Sequence, residues 1–324
     1  MHIHARALKY FDTIRRCGSI RGAARQLHVA SSALNRQLLQ LEDEIGFPLF
    51  ERMADGLKLT PAGEVFSRHV ISVLQEEQRL QHELDALRGI RRGELSVVSI
   101  EGVNADVLPA VLERMLTRHP QVRISVRTAG SQQAAQAVAQ ADADVAISFS
   151  IERDAALHQF ALARFQMGAV VRPDHPLASL DTVSFAECAR YPLIMASPEL
   201  SIHAALRPIV AHHKKPLTIL TETSSLELAK SIAARGIGVA FQTRVGLERD
   251  LREGRLAFVP LRAPEPVICD LGIYVRAGRA LPPALDAFIR LLTEELDSRS
   301  LIDRAPIEPP HAPGQSSVAT PSGA

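Results

Sequence analysis

The feature that most narrows the fold of this 324-residue chain is its opening, where three short amphipathic helices and a hairpin signal fit within sixty residues. Leu8, Phe11 and Ile14 form one apolar stripe, and Gly18 suits the stop of that first helix. Ser19 is placed to cap a second helix, IRGAARQL, whose Ala23 and Ala24 leave room for a close crossing. After His28-Val29-Ala30 a third helix follows, with Leu34, Leu38, Leu41 and Ile45 spaced four, three and four apart. Gly46 and Pro48 break that pattern, and Asp55-Gly56 sits between two short runs that read as paired strands. Residues 1–60 are therefore predicted to form a helix-turn-helix followed by a wing.

Thr60-Pro61 reads as the cap and first position of a long helix, the linker of residues 61–91. Phe66, Val70, Val73, Glu77, Leu80, Leu84 and Leu87 alternate spacings of four and three, a heptad seam interrupted once by Glu77. Nothing nearby in sequence covers that seam. A second copy of the chain is the expected cover, so Phe66, Val70, Val73, Leu80, Leu84 and Leu87 are the expected dimer contacts.

From Gly93 the pattern changes. Apolar strands such as ELSVVSI, VRISVRT and DVAISF alternate with helices, which predicts a mostly parallel sheet covered on both faces. Pro-rich junctions near Arg172-Pro173 and from Ala263 to Pro266 divide residues 92–300 into two subdomains, 92–168 with 266–300, and 169–265. Residues 301–324 are expected to be a disordered tail, since from Ala305 onward they carry too little apolar bulk to offset their ordering entropy. The fold class is α + α/β: an N-terminal winged helix-turn-helix, a long linker helix and a two-subdomain α/β domain.

Composition excludes several function classes. No apolar run reaches the ~20 residues needed to cross a bilayer, and the N-terminus lacks the apolar core of a secretory signal. Cys17, Cys188 and Cys269 lie far apart, forming neither a disulfide framework nor a CxxC metal pair. A reducing cytoplasm is the expected location, and the three thiols read as small buried hydrophobes. The formal net charge of +1 rules out a globally basic nucleic-acid coat. Residues 1–60 are more basic, with nine Lys and Arg against six Asp and Glu. The acids Glu42, Asp43 and Glu44 lie at the far end of the third helix, leaving its start the more positive part.

A recognition helix needs an apolar face to hold it and short polar or basic side chains at its exposed start. Ser31, Ser32, Asn35 and Arg36 lie off the Leu34/Leu38/Leu41 stripe. Arg36 can pair bidentately with guanine, and Asn35 has the donor and acceptor that adenine presents.

The run from Ala7 to Gly63, with AARQLHVASSALNRQLLQLEDEIGFPLFER and LTPAG, resembles the DNA-binding half of LysR-type transcriptional regulators. The resemblance extends over everything but the tail. It implies an effector domain like type 2 periplasmic binding proteins, assembly as dimers and tetramers, contact with RNA polymerase, and no catalytic activity or cofactor. It places Ser31, Ser32, Asn35 and Arg36 against bases, with Arg52, Lys58 and Thr60 on the wing and its exit against the DNA backbone. Ala30 stands where the family carries a capping Ser or Thr, which leaves Ser31 as candidate cap. Asn35 stands where Ser is common, and Met53-Ala54-Asp55 lacks a basic residue often found there.

In open α/β units, ligands gather at strand C-termini, where helix N-termini offer free N–H groups. Together with the resemblance, this points to Glu101, Gly102, Val103 and Asn104, to Thr223, Ser224 and Ser225, and to Ser148, Phe149 and Ser197, around a cleft between the subdomains. Ile100, Glu101 and Gly102 occupy a junction where the family often has Ser or Thr hydroxyls for a carboxylate. Two readings of Glu101 stay open. Either it faces an effector that carries a donor or cationic group and is not a plain dicarboxylate, or it merely favours the helix N-terminus. His212-His213 beside Lys214-Lys215 lacks metal-ligand spacing, His2 and His4 lie at the terminus, and Gly236-Ile237-Gly238 lacks the third glycine of a dinucleotide fingerprint. A solute-binding protein would need an export signal, and an enzyme would need a catalytic constellation; neither can be assembled. The expected partners are double-stranded DNA, a small-molecule effector and a second copy of the chain, with no membrane.

Overall fold

The computed structural model describes residues 5–54, 56–87, 93–151, 154–263, 265–278 and 281–304. His2, His4, Asp55 of the hairpin turn, the tail from Ala305 and the side chain of Leu87 lie outside the described residues.

Helix α1 (Ala5–Cys17) buries Leu8, Phe11 and Ile14, and the chain turns at Gly18 with φ +60°. In α2 (Ile20–Leu27), Ser19 accepts the Gly22 N–H at 3.1 Å, and Ala23 and Ala24 are fully buried. Helix α3 (Ser31–Ile45) buries Leu34, Leu38 and Leu41. Strands β1 (Phe50–Met53) and β2 (Gly56–Leu59) pair antiparallel, from Phe50 opposite Leu59 to Met53 opposite Gly56. Helix α4 (Pro61–Leu87) completes this part, with the Thr60 hydroxyl accepting the Gly63 N–H at 2.9 Å.

The rest alternates strands and helices: β3 (Gly93–Ser99), α5 (Glu101–Ala105), α6 (Val107–Arg118), β4 (Val122–Thr128), α7 (Ser131–Ala139), β5 (Val145–Phe149) and β6 (Leu157–Val171). Then come α8 (Phe185–Cys188), β7 (Leu193–Ala196), α9 (Ser201–His212), β8 (Ile219–Thr223), α10 (Leu226–Ala234), β9 (Ala240–Thr243), α11 (Glu248–Arg252) and β10 (Ala257–Pro260). Two short strands, β11 (Arg262–Ala263) and β12 (Glu265–Pro266), precede β13 (Ile268–Arg276) and α12 (Pro283–Arg304).

The chain divides into two units. The first holds residues 1–162, 198–201 and 270–295; its sheet has β3 parallel to both β4 and β5, with β13 antiparallel to β5. The second holds 163–197, 202–269 and 296 onward; there β6 is antiparallel to β9 and β10, and β7 is parallel to β8. The expectation of a mostly parallel sheet is corrected. Parallel pairing is confined to crossovers through a helix, whereas the long strands β6 and β13 meet their partners antiparallel, so the arrangement is mixed.

Candidate functional site

The helix-turn-helix is held from within. Phe11 meets Phe66 edge-on at 4.9 Å and Phe50 at 5.1 Å, so α1, α4 and the wing share one aromatic contact. His28 makes the turn between α2 and α3 at φ +55°, and its N–H bonds the Arg25 carbonyl. Glu42, on the buried side of α3's last turns, accepts the N–H of Leu49 at 2.7 Å and of Phe50 at 3.2 Å. That carboxylate fixes the wing's first strand to the recognition helix, a role that charge counting in the sequence did not reveal.

On the outer face of α3, Ser31, Ser32 and Arg36 are exposed and Asn35 is half-buried. None of the four has a side-chain partner among the described residues. The expectation that Ser31 caps the helix is corrected: Ala30 occupies the cap with no side-chain bond, so Ser31 is the first helical residue and its hydroxyl is free. Arg52 and Lys58 project from the wing, exposed, with Lys58 opposite Glu51 across the hairpin. The Thr60 hydroxyl donates to the Pro48 carbonyl at 2.7 Å while capping α4, so its proton is committed to the fold.

Along α4 the expected seam splits in two. Phe66 and Val70 are 8% and 0% exposed, buried in the same cluster as Leu8, Phe11, Leu41 and Leu49. They cannot face a partner, because the first turns of α4 dock on α1. Val73, Leu80 and Leu84 are exposed, at 36%, 57% and 40%, with Val65 at 61%. Glu77, the interruption in the heptad, pairs with Lys9 at 2.8 Å.

In the first unit the polar groups gather at the strand ends. The Ser99 hydroxyl donates to the Asn104 side-chain oxygen, and the Asn104 amide donates to the Thr128 hydroxyl at 2.8 Å, tying β3, α5 and β4 together. The buried Ser148 hydroxyl, at the end of β5, donates to the Ser131 hydroxyl at 2.9 Å. Ser131 begins α7 after Gly130, which supplies no side-chain cap, so the helix start keeps free N–H groups. A Cβ on Gly130 would lie 2.8 Å from the Glu199 carbonyl oxygen. Of the expected residues, Glu101 is half-exposed at the start of α5, while Gly102, Val103 and Phe149 are buried. Beside the called Ser148, the first unit thus brings two hydroxyls that the sequence reading did not single out, Thr128 and Ser131, to its strand ends. The Gly130-Ser131 pair between a strand and a helix was the sequence signal for them.

In the second unit, Ser197 follows β7; its N–H donates to the Thr223 carbonyl at 3.0 Å, and its buried hydroxyl has no hydrogen-bond partner among the described residues. Thr223 accepts the Ser225 N–H at 3.1 Å, Ser225 caps α10 by accepting the Leu228 N–H, and Ser224 is exposed. Cys188 and Cys269 are buried and Cys17 half-buried; burial, helped by Glu187, pushes the Cys188 thiol up to about 12. His212 bonds the Pro208 carbonyl at 2.6 Å and His213 packs on Phe185, so this pair serves the end of α9.

Comparison with known proteins agrees with this layout. Residues 5–64 match the bacterial regulatory helix-turn-helix protein family of LysR type, and residues 88–297 match the LysR substrate binding domain. A RuBisCO operon transcriptional regulator of Allochromatium vinosum is 24% identical over 295 residues, covering 91% of this chain and 97% of that one. The transcriptional activator IlvY of Salmonella typhimurium is 28% identical over 291 residues, 89% of this chain and 98% of that one. Among solved structures, a full-length OxyR variant from Pseudomonas aeruginosa aligns with a TM-score of 0.69 at 21% identity, covering 91% and 95%. HinK, a LysR family regulator from the same species, aligns at 0.55 with 22% identity, covering 91% and 99%. At these identities the structures speak for the fold alone.

Proposed function

The chain belongs to the LysR family of transcriptional regulators, and on that premise we propose how its DNA-binding and effector-binding parts divide the work. Ser31, Ser32, Asn35 and Arg36 read base edges in the major groove, while Arg52 and Lys58 hold phosphates beside it. The single observation carrying this assignment is that Arg36 stands exposed and unpartnered on a helix whose opposite face is fully buried. Two copies associate through Val73, Leu80 and Leu84, setting two recognition helices on half-sites about 34 Å apart. Higher assembly to a tetramer, contact with RNA polymerase and a cytoplasmic location complete the reading. The composition and the want of any long apolar helix among the described residues are consistent with it.

The effector engages the strand-end hydroxyls. In the first unit the start of α7, with Ser131 and Ser148, suits an anionic group, because free N–H groups and the helix dipole favour negative charge there. Glu101 opens the neighbouring helix α5 and favours an effector that also carries a donor or cationic group. In the second unit the unsatisfied Ser197 hydroxyl is the corresponding handle, since a buried hydroxyl without a partner costs free energy that a ligand can recover. Mobility shift with promoter-proximal DNA tests the DNA half. Arg36→Ala is expected to lose about 1–3 kcal/mol of sequence discrimination while size-exclusion behaviour stays that of the parent. A chain that binds no fragment at low ionic strength, or binds equally well without Arg36, overturns the assignment. Calorimetry with a metabolite panel against Ser197→Ala and Glu101→Gln tests the effector half.

A further inference from the structure

Helix α7 begins at the hydroxyl pair Ser131–Ser148 and ends against the DNA-binding part of the same unit. Its C-terminus is a Schellman turn: Asp142 donates its N–H to the Ala137 carbonyl at 2.7 Å, and Ala141 donates to Val138 at 3.0 Å. That turn leaves the Gln140 and Ala141 carbonyls facing α1. Arg15 donates to the Gln140 carbonyl at 2.9 Å, and Arg16 to the Ala141 carbonyl at 3.0 Å. The Asp142 carboxylate adds an ion pair with Arg16 at 3.0 Å and a longer one with Arg15 at 3.9 Å. Asp12 pairs with the same two arginines, at 2.9 and 3.1 Å. The Arg15 side chain is only 8% exposed. Two cations thus sit at the negative end of the α7 dipole, where they are most favoured.

Three further features make this contact movable. The turn residue Ala141 is held at φ +59°, a left-handed conformation that an L-residue other than glycine resists. The face of α7 that packs on the sheet is small-residued, Ala134, Ala137 and Val138 against Val98, Ala143, Ala146 and Tyr274, so the helix itself offers little interlocking against a sliding shift. Beside the contact lies a cavity of about 920 Å³, lined by Arg16, Asp142, Gln75 and Arg276 among others, which leaves the latch room to shift on that side.

We propose that α7 is the link by which an occupant at its start reports to the DNA-binding domain, through the latch of Arg15 and Arg16 on the turn of residues 140–142. The proposal rests on the reading of Ser131 and Ser148 as effector contacts. A nine-residue helix is about 13 Å long and moves as a rod. The latch bonds are 2.9 and 3.0 Å long; a shift of about 1 Å carries them past the length at which a hydrogen bond is lost. Anion capture at Ser131 therefore loosens or tightens the hold on α1, and with it the orientation of the recognition helix.

The test uses the full chain, with Ser131→Asp as a tethered carboxylate at the start of α7. Asp142→Ala removes the turn's own carboxylate from both arginines, and Arg16→Gln opens the same pair from the other side should the first variant not fold. Hydrogen exchange in α1 and in the turn of residues 140–142 reads the latch without DNA. Opening it is expected to speed exchange at both segments together. Ser131→Asp is expected to change affinity for a promoter-proximal fragment by about fivefold with the latch intact and to leave it unchanged with the latch open. The same change in both backgrounds, or none in either, overturns the link. Failure of the underlying reading is separately visible, because then anionic metabolites bind the parent and Ser131→Ala with equal affinity while the exchange result still stands.

Discussion

The Glu42 carboxylate and the Leu49 amide, seven residues apart, are joined by a 2.7 Å hydrogen bond that fastens the wing to the recognition helix. The same oxygen accepts the Phe50 N–H, so one charged acceptor satisfies two donors at the start of β1. Hydrogen bonds to a charged group are the stronger class. Glu42→Ala is expected to cost about 2 kcal/mol by leaving both donors unpaired, and Glu42→Gln, which keeps an acceptor, roughly half of that. Thermal unfolding compares the two. Equal losses would mean that a neutral acceptor at this position contributes nothing.

Gly63 is required by the approach of a neighbour. A Cβ there would lie 2.0 Å from the Leu49 carbonyl oxygen and 3.0 Å from its carbon, both backbone atoms that cannot swing aside. Gly63→Ala is expected to cost about 3 kcal/mol and to displace the wing from α4. Gly254→Ala is the control: it has φ +65° but open space around it, so only the backbone strain of about 1 kcal/mol is expected. Chemical denaturation of the two variants separates contact from conformation.

These two residues also mark what the sequence could and could not disclose. The Leu34/Leu38/Leu41 stripe, the Gly18 stop and the Ser19 cap were legible because each is a local pattern whose physics repeats wherever it occurs. Gly63 and Glu42 act through Leu49, a contact made only after the chain has folded back, so no spacing announces it. Phe66 and Val70 show the opposite failure. Their four-residue spacing suits a partner helix and a helix of the same chain equally well, and periodicity cannot say which arrives. Two strand-end hydroxyls, Thr128 and Ser131, were not singled out for a related reason. Strand-to-helix junctions were visible, but whether Thr128, Ser131 or Glu101 faces the opening depends on where each strand stops in the sheet.

The two halves of α4 should respond oppositely to substitution. Phe66→Ala empties part of the aromatic cluster with Phe11 and is expected to cost about 3–4 kcal/mol of stability without changing assembly in the surviving folded chain. Leu80→Glu together with Leu84→Glu places charges on exposed positions, so the monomer's stability should hold while the proposed dimer dissociates. Sedimentation and circular dichroism on both chains check this. A dimer that persists with both glutamates present would move the interface elsewhere.

The acid limit of the second unit should be set in part by Asp250. Its carboxylate, 9% exposed, lies 3.0 Å from the Lys230 ammonium and accepts two bonds from Arg255 at 2.7 and 3.0 Å. Burial pushes the Asp250 carboxyl up, but the hydrogen bonds from Arg255 and Lys230 outweigh it and hold it below its usual 3.8. A lowered carboxyl stabilises the fold at every pH above that usual value, and its contribution is lost as pH falls from 3.8 through the lower folded value. Lys230 runs the other way. Burial lowers it, the bonds to Glu227 and Asp250 raise it further, and the net rise keeps its contribution intact up to 10.5. Asp250→Asn leaves the buried ammonium short of a partner and should cost about 3 kcal/mol at neutral pH. Because the parent carboxyl itself becomes neutral in acid, the gap between parent and variant should narrow below pH 3.8. Denaturation midpoints measured from pH 7 down to pH 3 read that gap directly, and a gap that stays constant over the whole range would remove Asp250 from the acid transition.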